Sequence, residues 1–337
     1  MAAELLSTHT AALFNTAVQR AAELLRAGEV VALPTETVYG LAANALDAQA
    51  VAKIFEIKGR PAHNPIIVHV AGLVMAKRCT SHWSATAERL AAAFWPGPLT
   101  LVLPRADIIP DNVTAGGATA GIRWPSHPFI QAVIRACDFP LAAPSANVSN
   151  HISPTNAEHV RKHLGAKLPL IVDGGQSQVG IESTVLDLTG GAARVLRPGI
   201  IHEESLAAAG VALASPSADH TPDTAALKSP GLLKKHYSPK ARLLVLRWRD
   251  TAEFASQVRA SGVAAEDCHV ITHSHLPSGV KVASISVIPH DAEAYARALY
   301  AELHRCDEAG AKFIVAEALP ETPEWRGAAD RLRRAAS

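Results

Sequence analysis

Residues 30–40 read Val-Val-Ala-Leu-Pro-Thr-Glu-Thr-Val-Tyr-Gly, and this stretch decides the fold class. The short β-branched run at 30–33 stops at Pro34, which predicts a buried strand that enters a loop. Helical patterns lie on both sides of it, at about 14–28 and at 47–58, where Asp47 is a candidate N-cap. A buried strand between helices is typical of an α/β protein.

The same interleaving continues to about residue 200. Helical patterns cover 85–94, 128–136 and 155–164, and strand patterns cover 65–70, 99–103, 120–124, 141–143, 170–172, 183–188 and 194–196. The last two strand patterns follow each other directly, which predicts some antiparallel pairing. We therefore expect a first α/β domain over 14–206, built on a twisted mixed sheet with helices.

A change of composition separates this domain from the rest of the chain. Residues 207–240 are rich in Ala, Ser, Asp and Thr and contain four prolines, so we interpret them as an interdomain linker. Strand patterns then cover 242–248, 268–272, 280–288 and 312–316, and helical patterns cover 251–260, 291–308 and the end of the chain from about 324. This βαββαβα order predicts a smaller parallel-sheet domain of doubly wound type over 241–337.

The charge of the chain argues against a general affinity for nucleic acid. Its 337 residues carry 32 Lys and Arg against 31 Asp and Glu, a net charge of +1. The four cysteines are far apart, with no CxxC pair, which favours reduced thiols in the cytoplasm over disulfides or zinc. Residues 1–14 lack the pattern of a signal peptide, and no apolar run reaches the roughly 18–20 residues of a membrane span. We expect a cytoplasmic protein that makes no membrane contact.

Several familiar chemistries are missing from the sequence. It contains no GxxxxGK[ST] loop, no HExxH motif and no GxSxG elbow. The sixteen histidines are scattered, and His273-Ser-His275 is interpreted as an exposed loop rather than a metal site. We expect no metal held by protein ligands.

Two polar groups follow predicted strands or helices in the first domain. The turn at 34–40 carries two hydroxyls, a carboxylate and a phenol between a strand and an expected helix, which suits either a ligand corner or a helix cap. Lys58, Arg60 and Asn64 lie among a glycine and two prolines, a rigid cluster that suits a polyphosphate. The same cations could instead complement the end of a helix. His69, in the next strand, is by itself more typical of a hydrogen-bonded core residue.

Three further groups have the same ambiguity. Ala143-Pro-Ser-Ala-Asn147, followed by Ser153, ends a short apolar strand, where open α/β sheets bind ligands. Thr119 and Arg123 stand at the two ends of one strand pattern. The stretch 180–184 contains Ser183 and is followed by Arg197-Pro-Gly199. Each group alone is more typical of a structural turn than of a binding site.

Taken together and in this order, the groups resemble the YrdC-like family in its long, two-domain form. The matching stretches are PTETVYGLAANA (34–45), KGRPAHNPIIVHV (58–70), WPGPLTLVLP (95–104), TAGIRWPSHP (119–128), PLAAPSANVSNHISPT (140–155), VDGGQSQVGIESTVLDL (172–188) and VLRPG (195–199). SPGLLKKHYSPKA (229–241) is similar to the linker of the long form. The departures are Asn150, where a glycine is usual, and Trp124 after Arg123.

The resemblance implies a fold and a reaction. The fold would be a YrdC-like twisted mixed sheet plus a smaller C-terminal Rossmann-like parallel-sheet domain. The reaction would form threonylcarbamoyl-AMP and pyrophosphate from L-threonine, bicarbonate and ATP, making the chain a nucleotidyltransferase. Mg²⁺ would accompany ATP, held chiefly by phosphates and water. The product would pass to a tRNA threonylcarbamoyl transferase complex for tRNA modification, with at most a weak tRNA contact.

The resemblance also implies a role for each site residue. Lys58 and Arg60 would be catalytic through the phosphates. The ATP site would comprise Lys58, Arg60, Asn64, Thr119, Ser145, Asn147, Ser153, Arg197 and Tyr237. The threonine site would comprise Thr37, His69, Arg123, the backbone of Ala143, and Ser183, with Arg123 pairing the threonine carboxylate. Tyr237 would fold over the nucleotide, making the linker a lid.

Two other functions remain open from the sequence. A double-stranded RNA or tRNA binding module would use the cationic cluster and Arg123 on phosphates, although the neutral net charge disfavours it. A carbamoyltransferase-like relative would take its carbamoyl group from another donor. Threonine-dependent use of ATP would separate both from the adenylate synthase.

Overall fold

The chain contains a large mixed sheet and a small parallel sheet, each covered by helices. The computed structural model describes residues 3–214 and 237–337. In the first domain the strands are β1 (Glu4–Ser7), β2 (Val31–Leu33), β3 (Gly40–Asn44), β4 (Val68–His69), β5 (Leu99–Pro104), β6 (Thr119–Arg123), β7 (Leu141–Ala142), β8 (Leu170–Asp173), β9 (Thr184–Asp187) and β10 (Arg194–Arg197). Their order in the sheet is β1-β8-β2-β3-β7-β4-β6-β5-β9-β10, with parallel and antiparallel neighbours.

Helices cover both faces of the large sheet. They are α1 (Ala11–Arg26), α2 (Ala48–Lys58), α3 (Leu73–Arg78), α4 (Ala85–Phe94), α5 (Asp111–Thr114), α6 (Pro128–Cys137), α7 (Ala157–Leu164) and α8 (Glu203–Ala208). The strand residues alternate between two cores. Val31 and Leu33 pack with α1 and α6, whereas Ala32 packs in the core that contains Val51 of α2 and Leu90 of α4.

The sequence places the helix ends through ordinary capping chemistry. Asp47 Oδ1 accepts from the backbone amides of Gln49 and Ala50 at the start of α2. Gly59 ends that helix in the left-handed conformation with φ 61°, which a residue without Cβ adopts at no steric cost. The turn after α2 therefore has a fixed direction, and it carries Arg60 and Asn64.

The structure of the second domain confirms the predicted parallel sheet. Its elements are β11 (Arg242–Leu246), α9 (Thr251–Ala260), β12 (Cys268–Thr272), β13 (Ser284–Val287), α10 (Ala292–Glu308), β14 (Phe313–Glu317) and α11 (Arg326–Ala335), with 3₁₀ turns at Ala265–Asp267 and Pro323–Trp325. The strand order is β11-β14-β12-β13, all parallel. The fold class expected from the sequence is therefore correct in both domains.

Three sequence-based expectations about local structure are wrong. Residues 34–40 lead into strand β3 rather than a helix, because β3 pairs antiparallel with β2 on one side and β7 on the other. Strand β1 lies before the expected domain start at residue 14 and pairs in parallel with β8. The third expectation, an exposed loop at 273–275, is wrong at one residue: Ser274 and His275 are exposed, but His273 is buried, its backbone amide donates to the Glu317 carboxylate and its ring packs on Trp325.

The expected linker at 207–240 falls mostly outside the described residues, which exclude 215–236. Its start belongs to the first domain, because α8 extends to Ala208 and Leu213 bridges to Ala193.

Asn150, the unusual residue of the 140–155 stretch, has φ 68°, a left-handed conformation that asparagine tolerates better than most residues. All four cysteines are buried with free thiols. Of the helices in the described part of the chain, none has the length and apolar character of a membrane span.

Candidate active site

The first domain has a pocket on one face of its sheet. Ile67, His69 and Arg123 point into it, whereas their neighbours Val68 and Ile122 point to the opposite face and pack in the core. The complete lining is Thr35, Thr37, Val38, Gly40, Arg60, Ile67, His69, Arg123, Ala143, Pro144, Ser145, Glu182, Ser183, Arg197 and Tyr237. Every residue expected at the threonine site lines this pocket, as do four of those expected at the ATP site: Arg60, Ser145, Arg197 and Tyr237.

Arg123 is the most constrained cation of the expected threonine site. Its Nη1 donates to Thr37 Oγ1 at 2.9 Å, and its Nη2 lies 2.8 Å from Glu36 Oε1. Both charged side chains are 4% exposed, and Arg123 Nε has no hydrogen-bond partner among the described residues. A buried guanidinium with a free N–H suits a carboxylate ligand.

Electrostatics fix the charge states around Arg123. Burial by itself would raise the pKa of Glu36, but the Arg123 guanidinium and the Ser126 backbone amide together hold that pKa below its usual value. Burial, with Arg123 nearby, lowers the pKa of His69 to about 3, so its imidazole is neutral at pH 7. The site therefore presents one ion pair and one neutral imidazole to an incoming amino acid.

Lys58 lies just behind the pocket lining. Its Nζ donates to the backbone oxygen of Asn147 at 2.6 Å and to Asn147 Oδ1 at 3.2 Å, and also to the backbone oxygen of Ser145. Ser145 Oγ donates to the same Asn147 Oδ1 at 2.6 Å. Burial, with Arg60 nearby, lowers the pKa of Lys58 well below its usual value. Lys58 thus anchors the 145–147 turn against the end of α2.

Two arginines supply positive charge directly to the pocket. Arg60 Nε and Nη2 donate to the backbone oxygens of Asn64 at 3.0 Å and Pro65 at 2.6 Å. Burial lowers the pKa of Arg60 to about 10, so it stays protonated at pH 7. Arg197 Nε and Nη2 donate to the backbone oxygen and the hydroxyl of Ser183, both at 3.1 Å. Hydrogen bonds to backbone oxygens therefore hold both guanidinium groups in a fixed orientation at the pocket.

Five residues expected at the ATP site are not in the pocket lining: Lys58, Asn64, Thr119, Asn147 and Ser153. The side-chain amide of Asn64 is fully buried, and neither its oxygen nor its nitrogen has a hydrogen-bond partner among the described residues. Ser153 Oγ donates to Glu182 Oε1 at 2.6 Å and so touches the lining. Thr119 begins β6, at the opposite end of that strand from Arg123, and the structure does not bring it to the pocket.

Sequence reasoning missed two acidic residues of the site. Glu36 pairs with Arg123, and Glu182 lines the pocket and pairs with Arg331 of the second domain. Both stand in stretches that the sequence singled out, but only their ion pairs reveal a role.

Tyr237 lines the pocket and packs against two residues of the second domain. It is 1% exposed, with φ 64°, and its ring lies 5.8 Å from that of Tyr300 and 5.4 Å from the Arg331 guanidinium. With Tyr237 in place, the open volume inside the pocket is only about 50 Å³. This volume is far below the ~300 Å³ or more of a typical ligand pocket.

The chain is similar to known proteins over nearly its whole length. Residues 23–199 match the Sua5/YciO/YrdC family model, described as "Telomere recombination", and residues 201–337 match "Threonylcarbamoyl-AMP synthase, C-terminal domain". The threonylcarbamoyl-AMP synthase of Pyrococcus abyssi is 36% identical over 94% of this chain and 93% of its own length. That of Bacillus subtilis is 39% identical over 95% and 92%. The structure of P. abyssi Sua5 complexed with L-threonine has a TM-score of 0.88 at 34% identity and covers 100% of this chain and 98% of the other.

Proposed function

The chain belongs to the Sua5/YrdC family in its two-domain form, and from this membership we propose that it makes threonylcarbamoyl-AMP from L-threonine, bicarbonate and ATP. The relatives carry the name of an enzyme that synthesises an adenylate, and one related structure holds L-threonine. The observation in this chain that best supports the proposal is the grouping of buried Arg123 with Arg60 and Arg197 around one pocket. A carboxylate and a polyphosphate are both anions that guanidinium groups bind well.

The proposed reaction needs no covalent enzyme intermediate. Arg123 binds the threonine carboxylate, with neutral His69 and Thr37 beside it. The threonine ammonium group first loses a proton to solvent, and the free amine attacks bicarbonate, with water leaving as the carbamate forms. A carbamate oxygen then attacks the α-phosphorus of ATP, a new P–O bond forms, and the bond to pyrophosphate breaks. The enzyme contributes positioning and charge stabilisation, which Arg60 and Arg197 supply at the phosphoryl oxygens.

We propose that Mg²⁺ enters with ATP rather than in a site made by protein side chains. Within the described ranges 3–214 and 237–337, no three His, Cys, Asp or Glu side chains are grouped to hold a metal ion. Glu182, which lines the pocket, already pairs with Arg331. A metal bound chiefly by phosphates and water fits this arrangement.

Substrate entry requires the pocket to open. Tyr237 is a buried residue of the pocket lining, and an open volume of about 50 Å³ is too small for a nucleotide. We propose that Tyr237 moves away when ATP enters and returns over the bound nucleotide, keeping water from the adenylate. Residues 215–236 of the expected lid lie outside the described residues.

The proposed product is a reactive adenylate, which a tRNA threonylcarbamoyl transferase complex consumes. In this scheme the chain is a nucleotidyltransferase that itself makes at most a weak contact with tRNA. The near-zero net charge agrees with a small-molecule substrate. The relatives do not favour the alternative of an RNA-binding module.

The experiment that tests the function measures pyrophosphate release from ATP with bicarbonate and Mg²⁺, with and without L-threonine. We expect release that depends on threonine, together with a product of the mass of threonylcarbamoyl-AMP. A folded sample that binds ATP but shows no threonine dependence would refute the proposal. Salt-sensitive RNA affinity in that sample would then support the RNA-binding module, and use of carbamoyl phosphate would support the alternative donor.

A further inference from the structure

Glu182 is a buried carboxylate at the boundary of the two domains. It lines the pocket and is 7% exposed. Its Oε1 accepts from Ser153 Oγ at 2.6 Å. Its Oε2 accepts from Arg331 Nε at 2.6 Å and from the Tyr300 hydroxyl at 3.1 Å. One carboxylate thus joins a residue expected at the ATP site to two residues of the second domain.

Arg331 is held as rigidly as the carboxylate that it pairs with. Its side chain is 0% exposed, and its Nη1 donates to the backbone oxygen of Pro198 and to Asp330 Oδ2, both at 2.9 Å. Its Nη2 donates to the backbone oxygen of Glu182 at 3.2 Å. The guanidinium therefore fixes both the side chain and the backbone of Glu182.

The Glu182–Ser183 peptide links this cluster to the cationic part of the pocket. Arg331 binds the carbonyl of Glu182, and Arg197 binds the carbonyl and hydroxyl of the next residue, Ser183. The two domains are also closely packed beside this peptide. A Cβ on Gly327 of α11, the helix of Arg331, would lie 2.7 Å from the backbone oxygen of Gly199.

The charge of Glu182 matters because its proposed neighbour is a polyanion. A carboxylate on the wall of a triphosphate pocket repels the substrate unless a cation neutralises it, and burial strengthens that repulsion. Arg331 is the cation in direct contact with it. Burial by itself would raise the pKa of Glu182, but Arg331, with Arg197, lowers it, so the carboxylate is charged at pH 7.

We propose that Arg331 and Tyr300 are positioning residues through which the second domain makes the first competent to bind ATP. Arg331 neutralises Glu182, and both residues hold it so that Ser153 and Arg197 face the nucleotide. This inference rests on the proposed function for the identity of the nucleotide. It assigns to the second domain a structural contribution inside the active site.

The test compares Arg331→Met with Arg333→Met in the full chain. Arg333 lies on the same helix and also binds Asp330, at 2.8 Å, but its side chain is 75% exposed. We expect Arg331→Met to raise the KM for ATP about 10- to 100-fold and to leave the KM for threonine within about threefold. Arg333→Met should leave both constants unchanged within about twofold.

A double variant separates the loss of charge neutralisation from a general loss of folding. Glu182→Gln with Arg331→Met removes both charges, so it should restore most of the ATP affinity that Arg331→Met loses. Tyr300→Phe should raise the KM for ATP by a smaller factor. If Arg331→Met does not fold, direct measurement of ATP binding by the double variant and by Tyr300→Phe still tests the inference.

Three results would overturn the inference: Arg331→Met equal to Arg333→Met, an equal loss for ATP and threonine, or no recovery in the double variant. The proposed function fails differently, by the absence of threonine-dependent pyrophosphate release in the unmodified protein. ATP binding by the variants can be measured in either case.

Discussion

At the residue scale, the pairing of Arg123 with Glu36 makes a specific prediction about substrate selectivity. Arg123→Met should raise the KM for threonine about 10- to 100-fold, because a charged hydrogen bond to the carboxylate is lost, and should change the KM for ATP by less than about threefold. Steady-state kinetics with each substrate varied in turn measures the difference. An equal loss for both substrates would contradict the carboxylate role.

The control for this substitution concerns stability. Removing Arg123 alone leaves Glu36 buried and unpaired, which costs about 3–5 kcal/mol of unfolding free energy. Adding Glu36→Gln removes the stranded charge and should recover much of that loss in denaturant unfolding. The kinetic defect for threonine should remain in the double variant, because the guanidinium is still absent.

Arg60 carries a second prediction at this scale. Arg60→Ala should lower threonine-dependent pyrophosphate release at least about 100-fold, since it removes a preorganised charge from the phosphoryl group. Lys53→Ala is the matched control, because Lys53 lies on α2, which ends just before Arg60, and its side chain is half-exposed beside Glu29. Circular dichroism should show both variants folded. A fully active Arg60→Ala would end the assignment.

The sequence named most of the pocket residues but not the pairs that hold them. Resemblance carries residue identities along the chain, and the structure places Arg123, His69 and Arg197, which that resemblance singled out, around one pocket. It could not supply the partner of Glu182, because that partner lies 149 residues away in another domain. Ion pairs of this kind depend on tertiary packing, to which no local pattern points.

At the element scale, elements that are stabilised by local contacts are predicted more accurately than elements that are stabilised by distant partners. Helices α4 and α9 begin where the pattern predicts, because the side chains of Ser84 and Asp250 cap their first turns locally. Strand β3 was missed because its alanines are stabilised by partners on both sides, such as Val31 in β2 and Ala142 in β7. Short alanine-rich strands have little propensity of their own.

Two glycines with the same backbone conformation test how the elements of the two domains approach each other. Gly175 and Gly180 both have φ 81°, but a Cβ would meet nothing within 4 Å at Gly175 and would lie 2.4 Å from Arg297 Cα of α10 at Gly180. Gly180→Ala should therefore lower the melting temperature and the ATP affinity more than Gly175→Ala does. Equal effects would mean that backbone strain, and not the contact with α10, sets the cost.

At the scale of the whole molecule, two stacked histidines join the domains. His159 of α7 and His304 of α10 have ring centroids 3.8 Å apart, and His304 Nε2 lies 3.2 Å from the backbone oxygen of Ser153. Burial lowers the pKa of His159 to about 4 and that of His304 to about 3. The other charged or titratable groups beside the stack are His163, Lys162, Glu158 and Glu308.

The sign of the pH dependence follows from these directions. The unfolded chain binds protons on both histidines as the pH falls below about 6.5, whereas the folded protein does not until about pH 4, so stability falls through that window. His304 alone should account for about 2–3 kcal/mol of lost unfolding free energy between pH 6.5 and 4.5. Buried carboxylates such as Glu36 act only below about pH 4.5, because their pKa values are lowered.

Denaturant unfolding at several pH values measures this dependence, and His304→Gln isolates the stack. Glutamine can still donate to the Ser153 oxygen but does not titrate, so the variant should lose less stability between pH 6.5 and 4.5. His82→Gln, at an exposed site in the first domain, should keep the full slope. If His304→Gln retained that slope too, the pH sensitivity would not arise at the domain boundary. A flatter slope would show that the contact beside Ser153 depends on two neutral imidazoles, and that acid weakens the boundary on which the proposed Arg331–Glu182 pairing relies.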